Sequence, residues 1–147
     1  MNQCFKQMDD IFHAYAASHG LSDSAFWILY TLYESDTPYT QNDLCMTWYY
    51  PKQTIHSAVA NLVKAGHVSL VPMPNRRNSK RIVLTASGRA YAQTHVGPLL
   101  AAEERAFAQL TKEERDAYLR LAKKHLALLS SAVDAVMQQP AGTAPQG

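Results

Sequence analysis

The chain has 147 residues, 47% of them apolar and 18% charged, with a net charge of +2 and two cysteines. That is one domain, or one domain with extended ends, long enough to bury a core and too apolar for wholesale disorder. No apolar run approaches the roughly 18 residues that span a bilayer, residues 1–12 lack a secretory signal's pattern, and Cys4 and Cys45 make no disulfide framework, so a reduced, cytoplasmic protein with no membrane partner is expected.

Charge is unevenly distributed. Residues 1–43 carry −5, residues 44–102 carry +7 without a single carboxylate, and residues 103–147 sum to zero. An acid-free stretch suits a polyanion, because each phosphate neutralised releases counterions and each nearby carboxylate would repel it. The plain alternative is a solvated basic face.

Apolar residues at 5, 8, 12 and 15 predict a helix over residues 4–19, ended by Gly20. Ser22 is the N-cap of a second helix, with Ala25, Ile28, Leu29, Leu32 and Tyr33 on one stripe. Thr37-Pro38 breaks it. Thr40 then caps a short third helix, with Asp43 near its positive end and Leu44 facing in. Pro51 opens a fourth helix over 52–65, where a missing amide costs nothing. Ile55, Ala58, Val59, Leu62 and Val63 form its core stripe, and Gln53, His56, Ser57, Ala60, Asn61 and Lys64 the opposite face. That outer face has no acid and is rich in short hydrogen-bonding groups of the kind that read base edges, although a surface helix can draw the same residues with no such role.

Residues 67–71 and 81–84 read as strands joined by the turn-rich segment PMPNRRNSK. A basic two-stranded ribbon directly after a helix of polar readers is a winged helix-turn-helix. Leu84-Thr85-x-x-Gly88 opens a further helix, expected to bend at Gly97-Pro98. Thr111-Lys-Glu-Glu114 is a capping box. It starts a last helix running to about Met137, with Tyr118, Leu121, Ala122, Leu126, Leu129, Val133, Val136 and Met137 as its apolar stripe. Residues 138–147 have the composition of a disordered tail.

The blocks LSDSAFWILYTLYE (21–34), YTQNDLC (39–45), PKQTIHSAVANLVKAGHVSL (51–70) and NRRNSKRIVLTASG (75–88), in this order and flanked by helices, resemble the MarR (multiple antibiotic resistance regulator) family of bacterial transcriptional regulators. The resemblance covers roughly residues 5–137. The fold expected is mainly α with a small β-hairpin wing: a winged helix-turn-helix core (37–85) between helical segments (4–36 and 86–137), all in one unit over 1–137. The resemblance implies that residues 4–19 and 112–137 are dimerisation helices, and that the homodimer, usually a repressor, binds a pseudo-palindromic operator. It also implies that DNA is often released by a small ligand or an oxidant. One residue departs from the pattern. Where many members carry an acid that holds the wing arginine two residues later, this chain has Asn75, followed by Arg77.

Expected DNA contacts follow. Thr40 and Gln41 would meet phosphate at a helix N-terminus. Lys52, Gln53, Thr54, His56, Ser57 and Asn61 would face the major groove, and Arg76, Arg77, Lys80 and Arg81 would supply wing contacts. For an effector, aromatics with polar tips suit flat phenolic ligands, and His13, Trp27, Tyr30, Trp48 and Tyr49 are the candidate lining, though aromatics serve equally as core. Three large aromatics in the turn Trp48-Tyr49-Tyr50 cannot all be buried by it. Two other readings stand beside this one. A redox sensor would use Cys4, against which lone cysteines are usually small buried hydrophobes. An enzyme finds no nucleophile elbow, P-loop or dinucleotide motif and no zinc spacing among the six histidines. The chain is read as a non-enzyme with no catalytic residues, metal or cofactor.

Overall fold

The computed structural model describes residues 2–76 and 78–138. Along these the order is α1 (Asn2–Ser18), α2 (Asp23–Glu34), β1 (Tyr39–Thr40), α3 (Gln41–Trp48), α4 (Lys52–Lys64), β2 (Val68–Pro72), β3 (Lys80–Leu84), α5 (Ala86–His95), α6 (Gly97–Ala108) and α7 (Lys112–Met137). The chain divides into two compact units, Met1–Ala101 and Ala102–Gly147. No helix of the described residues is long and apolar enough to cross a membrane.

The core of the first unit is built on α2. Phe26, Ile28 and Leu29 are fully buried there, and Leu44 of α3, Ile55 and Val59 of α4, Ile82 of β3 and Val96 close around them. Each such side chain contributes about 1.5–3 kcal/mol by leaving water. The predicted α2 stripe is correct for Ile28, Leu29 and Leu32, while Phe26, off that stripe, is buried as well. That burial reflects layers packed on more than one side of α2. Two polar side chains are buried with them, Ser24 and Thr31. Thr31 Oγ1 donates to the Trp27 carbonyl (2.8 Å) and accepts from Trp48 Nε1 (2.8 Å), so its burial leaves no unmet hydrogen bond.

Capping follows the sequence closely. Ser22 accepts from the Ala25 amide. Thr40 and Asp43 form a reciprocal box, with the Thr40 amide donating to Asp43 Oδ2 (2.8 Å) and the Asp43 amide to Thr40 Oγ1 (3.2 Å). Thr111 and Glu114 repeat the arrangement at α7. Three boundaries differ from expectation. The wing is one edge of a three-stranded antiparallel sheet, order β1-β3-β2, because Tyr39 pairs with Ile82 and Thr40 with Arg81. Its strands are also shifted: β2 pairs with β3 from Val68↔Leu84 to Pro72↔Lys80. The helix expected to bend at Gly97-Pro98 is instead interrupted at Val96 (φ −112°, ψ −41°), which gives α5 and α6. Pro98 then lies in the first turn of α6, where no amide hydrogen is required.

Val63 does not belong to the core stripe of α4. It is 40% exposed, because Ile55, Ala58, Val59 and Leu62 already fill the buried arc. On α1, Phe5, Met8 and Ile11 are exposed, and only Phe12, Tyr15 and Ala16 pack against the core. Where the turn after α1 meets the end of α5, His19 Nδ1 faces His95 Nδ1 at 2.9 Å. Tyr91 lies against the His95 ring and stacks on His67 at 4.0 Å.

In the second unit, Phe107 and Tyr118 meet edge to face. No residue of α7 is buried within the chain. Its stripe of Leu126, Leu129, Val133 and Val136 is open to solvent. Gln138 caps α7; the remainder of the predicted tail lies outside the described residues.

Candidate nucleic-acid interface

The candidate interface is set by two helix ends. The capping box holds the start of α3. Its carboxylate is stabilised by the Thr40 amide and hydroxyl, with the Arg76 guanidinium adding to the effect, so the Asp43 carboxyl sits below the ordinary range. At the other end of α3, Tyr49 takes a left-handed conformation (φ 55°) and turns the chain into Pro51, the N-cap of α4. A residue other than glycine is strained there.

Burial of Ile55, Ala58, Val59 and Leu62 fixes the rotation of α4. Lys52, Gln53, His56, Ser57 and Asn61 are consequently exposed together, while Thr54 is half-buried. Between α3 and α4 runs a crevice of about 510 Å³ lined by Gln41, Lys52, Gln53, His56 and two residues missed in the sequence, Asn42 and Cys45. His56 Nδ1 lies 3.3 Å from Gln41 Oε1 and so ties the two helices. Thr40 is half-buried, and its hydroxyl is engaged by Asp43 on both sides, donating to Oδ2 and accepting from the amide. Asn42 and Cys45 occupy positions i+1 and i+4 from Gln41, and helical spacing from Gln41 would have found the second.

The wing tip turns through Asn78 (φ 65°), with the Met73 amide donating to the Ser79 carbonyl (3.0 Å). Arg76, Lys80 and Arg81 are exposed and make no ion pair among the described residues. Lys80 and Arg81 leave opposite faces of β3. Arg77 lies outside the described residues. The wing's return strand is anchored to the end of α4: Thr85 Oγ1 donates to the Gly66 carbonyl (2.6 Å) and accepts from the Gly88 amide (2.9 Å).

A second crevice, of about 520 Å³, opens between α1, α2 and the end of α3. It gathers four of the five residues proposed for an effector: His13, Trp27, Trp48 and Tyr49. Tyr30 is not in its wall and instead supports Trp48 from behind, edge to face at 6.3 Å. Tyr50, of the same aromatic run, lines it too, as do Asp9 and Asp23, which the sequence did not suggest. Of the three consecutive aromatics, Tyr49 is the one left in solvent, at 90% exposure. Cys4 is exposed on α1.

A helix pair whose second helix has an acid-free outer face, followed by a basic-tipped ribbon, defines a winged helix-turn-helix protein. Residues 19–77 match the model of the MarR family. Solved structures share the fold. NMB1585, a MarR family regulator from Neisseria meningitidis, is 19% identical, with a TM-score of 0.78 over 91% of this chain and 94% of that one. MepR of S. aureus in its DNA-binding conformation is 19% identical, with a TM-score of 0.76 over 87% and 97%. A MepR–DNA complex gives 0.67 at 19% identity over 87% and 94%. No curated protein matches the sequence. Over residues 19–77 the chain is similar to the MarR family, and its fold is the winged helix-turn-helix fold of the solved structures.

Proposed function

We propose that the protein is a cytoplasmic, sequence-specific DNA-binding regulator, a repressor that acts as a homodimer on a pseudo-palindromic operator and is released by a small aromatic ligand. The observation that carries this reading is the joint exposure of Lys52, Gln53, His56, Ser57 and Asn61 beside wing cations that make no ion pair among the described residues. In such an arrangement α4 enters the major groove and the wing meets phosphate or minor groove. The MepR–DNA complex, of the same fold, supports it by likeness.

Dimerisation rests on the apolar faces of α1 and α7. Ala122, Leu126, Leu129, Val133 and Val136 repeat at alternating spacings of four and three, the seam of a helix that packs on another. Residues 1–137 work as one unit in this reading, and two-fold symmetry sets half-sites about 10 bp apart, centre to centre. Selecting bound duplexes from a random pool tests it: recovery of an inverted repeat is expected, and sequence-independent binding would refute it. Exposure of Cys4 favours oxidant sensing as a second reading. Peroxide-treated protein that still binds the selected duplex would dismiss that one.

A further inference from the structure

The crevice between α1, α2 and the end of α3 has a chemistry that selects among aromatic ligands. Phe12, Trp27, Trp48, Tyr49 and Tyr50 supply five rings. Trp27 and Trp48 stack at 4.2 Å, and Phe12 lies 5.0 Å from Trp27. Ring faces carry negative potential and attract cations.

The charged groups have the same sign preference. Asp9 and Asp23 line the crevice. Lys6 also reaches it, but its ammonium pairs with Asp10. His13 sits 2.9 Å from Asp23. Two carboxylates thus line the crevice beside a histidine and a lysine already paired with Asp10, within a segment, residues 1–43, whose net charge is −5. A phenolate or benzoate would meet this field as a like charge. Consistent with it, the Tyr50 hydroxyl is harder to ionise than usual, first through burial and then through Asp23 and Asp9.

We propose that this crevice binds a flat aromatic cation, a quaternary or protonated heteroaromatic, in preference to neutral or anionic aromatics. The proposal rests on the reading of the chain as a ligand-released regulator for its consequence, but not for the binding itself.

Both tryptophans of the chain are in the wall, so tryptophan emission reports occupancy directly. The full-length protein is titrated near neutral pH with N-methylacridinium, with acridine as its neutral counterpart, and with salicylate, by calorimetry and by quenching. N-methylacridinium is expected to bind about tenfold more tightly than acridine, the scale of a partly desolvated cation–aromatic contact, and salicylate not at all. Asp9→Asn, at an exposed site, is expected to remove most of that preference, and Asp9→Lys to reverse it. Equal affinity for N-methylacridinium and acridine, or preferential binding of salicylate, overturns the proposal, as does failure of all three to quench. Release of the selected duplex is measured separately. Tight N-methylacridinium binding that leaves the DNA complex intact would refute the regulatory reading and uphold the site.

Discussion

Gly88 and His67 meet backbone to backbone: a Cβ on Gly88 would lie 1.7 Å from the His67 carbonyl oxygen. His67 follows the glycine that ends α4, and Gly88 lies in the first turn of α5, so this contact joins the end of α4 to the start of the helix that follows the wing. Its obstacle is main chain, which cannot swing aside as a side chain would. Gly88→Ala is expected to cost about 3 kcal/mol, the upper range for overpacking, in denaturant unfolding. Whatever folded protein remains should bind the selected duplex more weakly. Unchanged unfolding would show that the two backbones can part freely.

The capping box of α3 carries a pH dependence. Asp43 is held below the ordinary carboxylate range by the Thr40 amide and hydroxyl. Its contribution is therefore complete above the unfolded value and is lost as the pH falls from there through the folded one. Asp43→Asn should be less stable than the parent at neutral pH, with the gap closing below about pH 4. Thr40→Ala should cost about 1 kcal/mol at neutral pH. A gap for Asp43→Asn that persists in acid would mean that the carboxylate charge is not its source.

Tyr49 holds a left-handed backbone while its ring is almost wholly exposed. Replacing it by glycine removes steric strain at little loss of packing, against a larger chain entropy in the unfolded state. Tyr49→Gly is expected to raise stability by about 0.5 kcal/mol. A loss of stability in chemical denaturation would assign the ring a packing role.

Reader and wing residues should separate in their effects on DNA. Gln53→Ala is expected to relax preference at one base pair by about 1–3 kcal/mol and to leave scrambled duplexes nearly unaffected. Arg76→Ala should weaken all duplexes alike and flatten the salt dependence by about one counterion. Fluorescence anisotropy across a salt series distinguishes the two, and an unchanged slope for Arg76→Ala would remove it from the phosphate contacts.

For α7, Leu126→Asp with Leu129→Asp places carboxylates on a face that is open within one chain. Sedimentation is expected to show a dimer for the parent and a monomer for the doubly substituted chain. A dimer that survives both substitutions would place the interface elsewhere.

Much of this architecture is local in origin, and those parts were legible in the sequence. Ser22, Thr40 and Thr111 cap their helices through bonds three residues long, which residue type and spacing announce directly. The reader face emerged from α4's own periodicity. What could not be read depends on distant partners. Tyr39 and Thr40 become a strand only because Ile82 and Arg81 lie beside them. Val63 has the right spacing for the core, but neighbouring elements do not extend to it. The aromatic crevice was partly visible as a cluster of rings. Its acidic members, Asp9 and Asp23, come from two helices whose packing no local pattern encodes, and Tyr30 lies on the far side of Trp48 for the same reason.

The meeting of His19 and His95 has a consequence of its own. Two imidazole nitrogens 2.9 Å apart have room for a single hydrogen between them. When both rings are uncharged, one must therefore be the δ tautomer and its neighbour the ε tautomer, so that two chemically identical residues become magnetically unlike. Nitrogen-15 spectra of the imidazoles would register that asymmetry and make the junction between the first turn and the fifth helix visible by its own resonance pair.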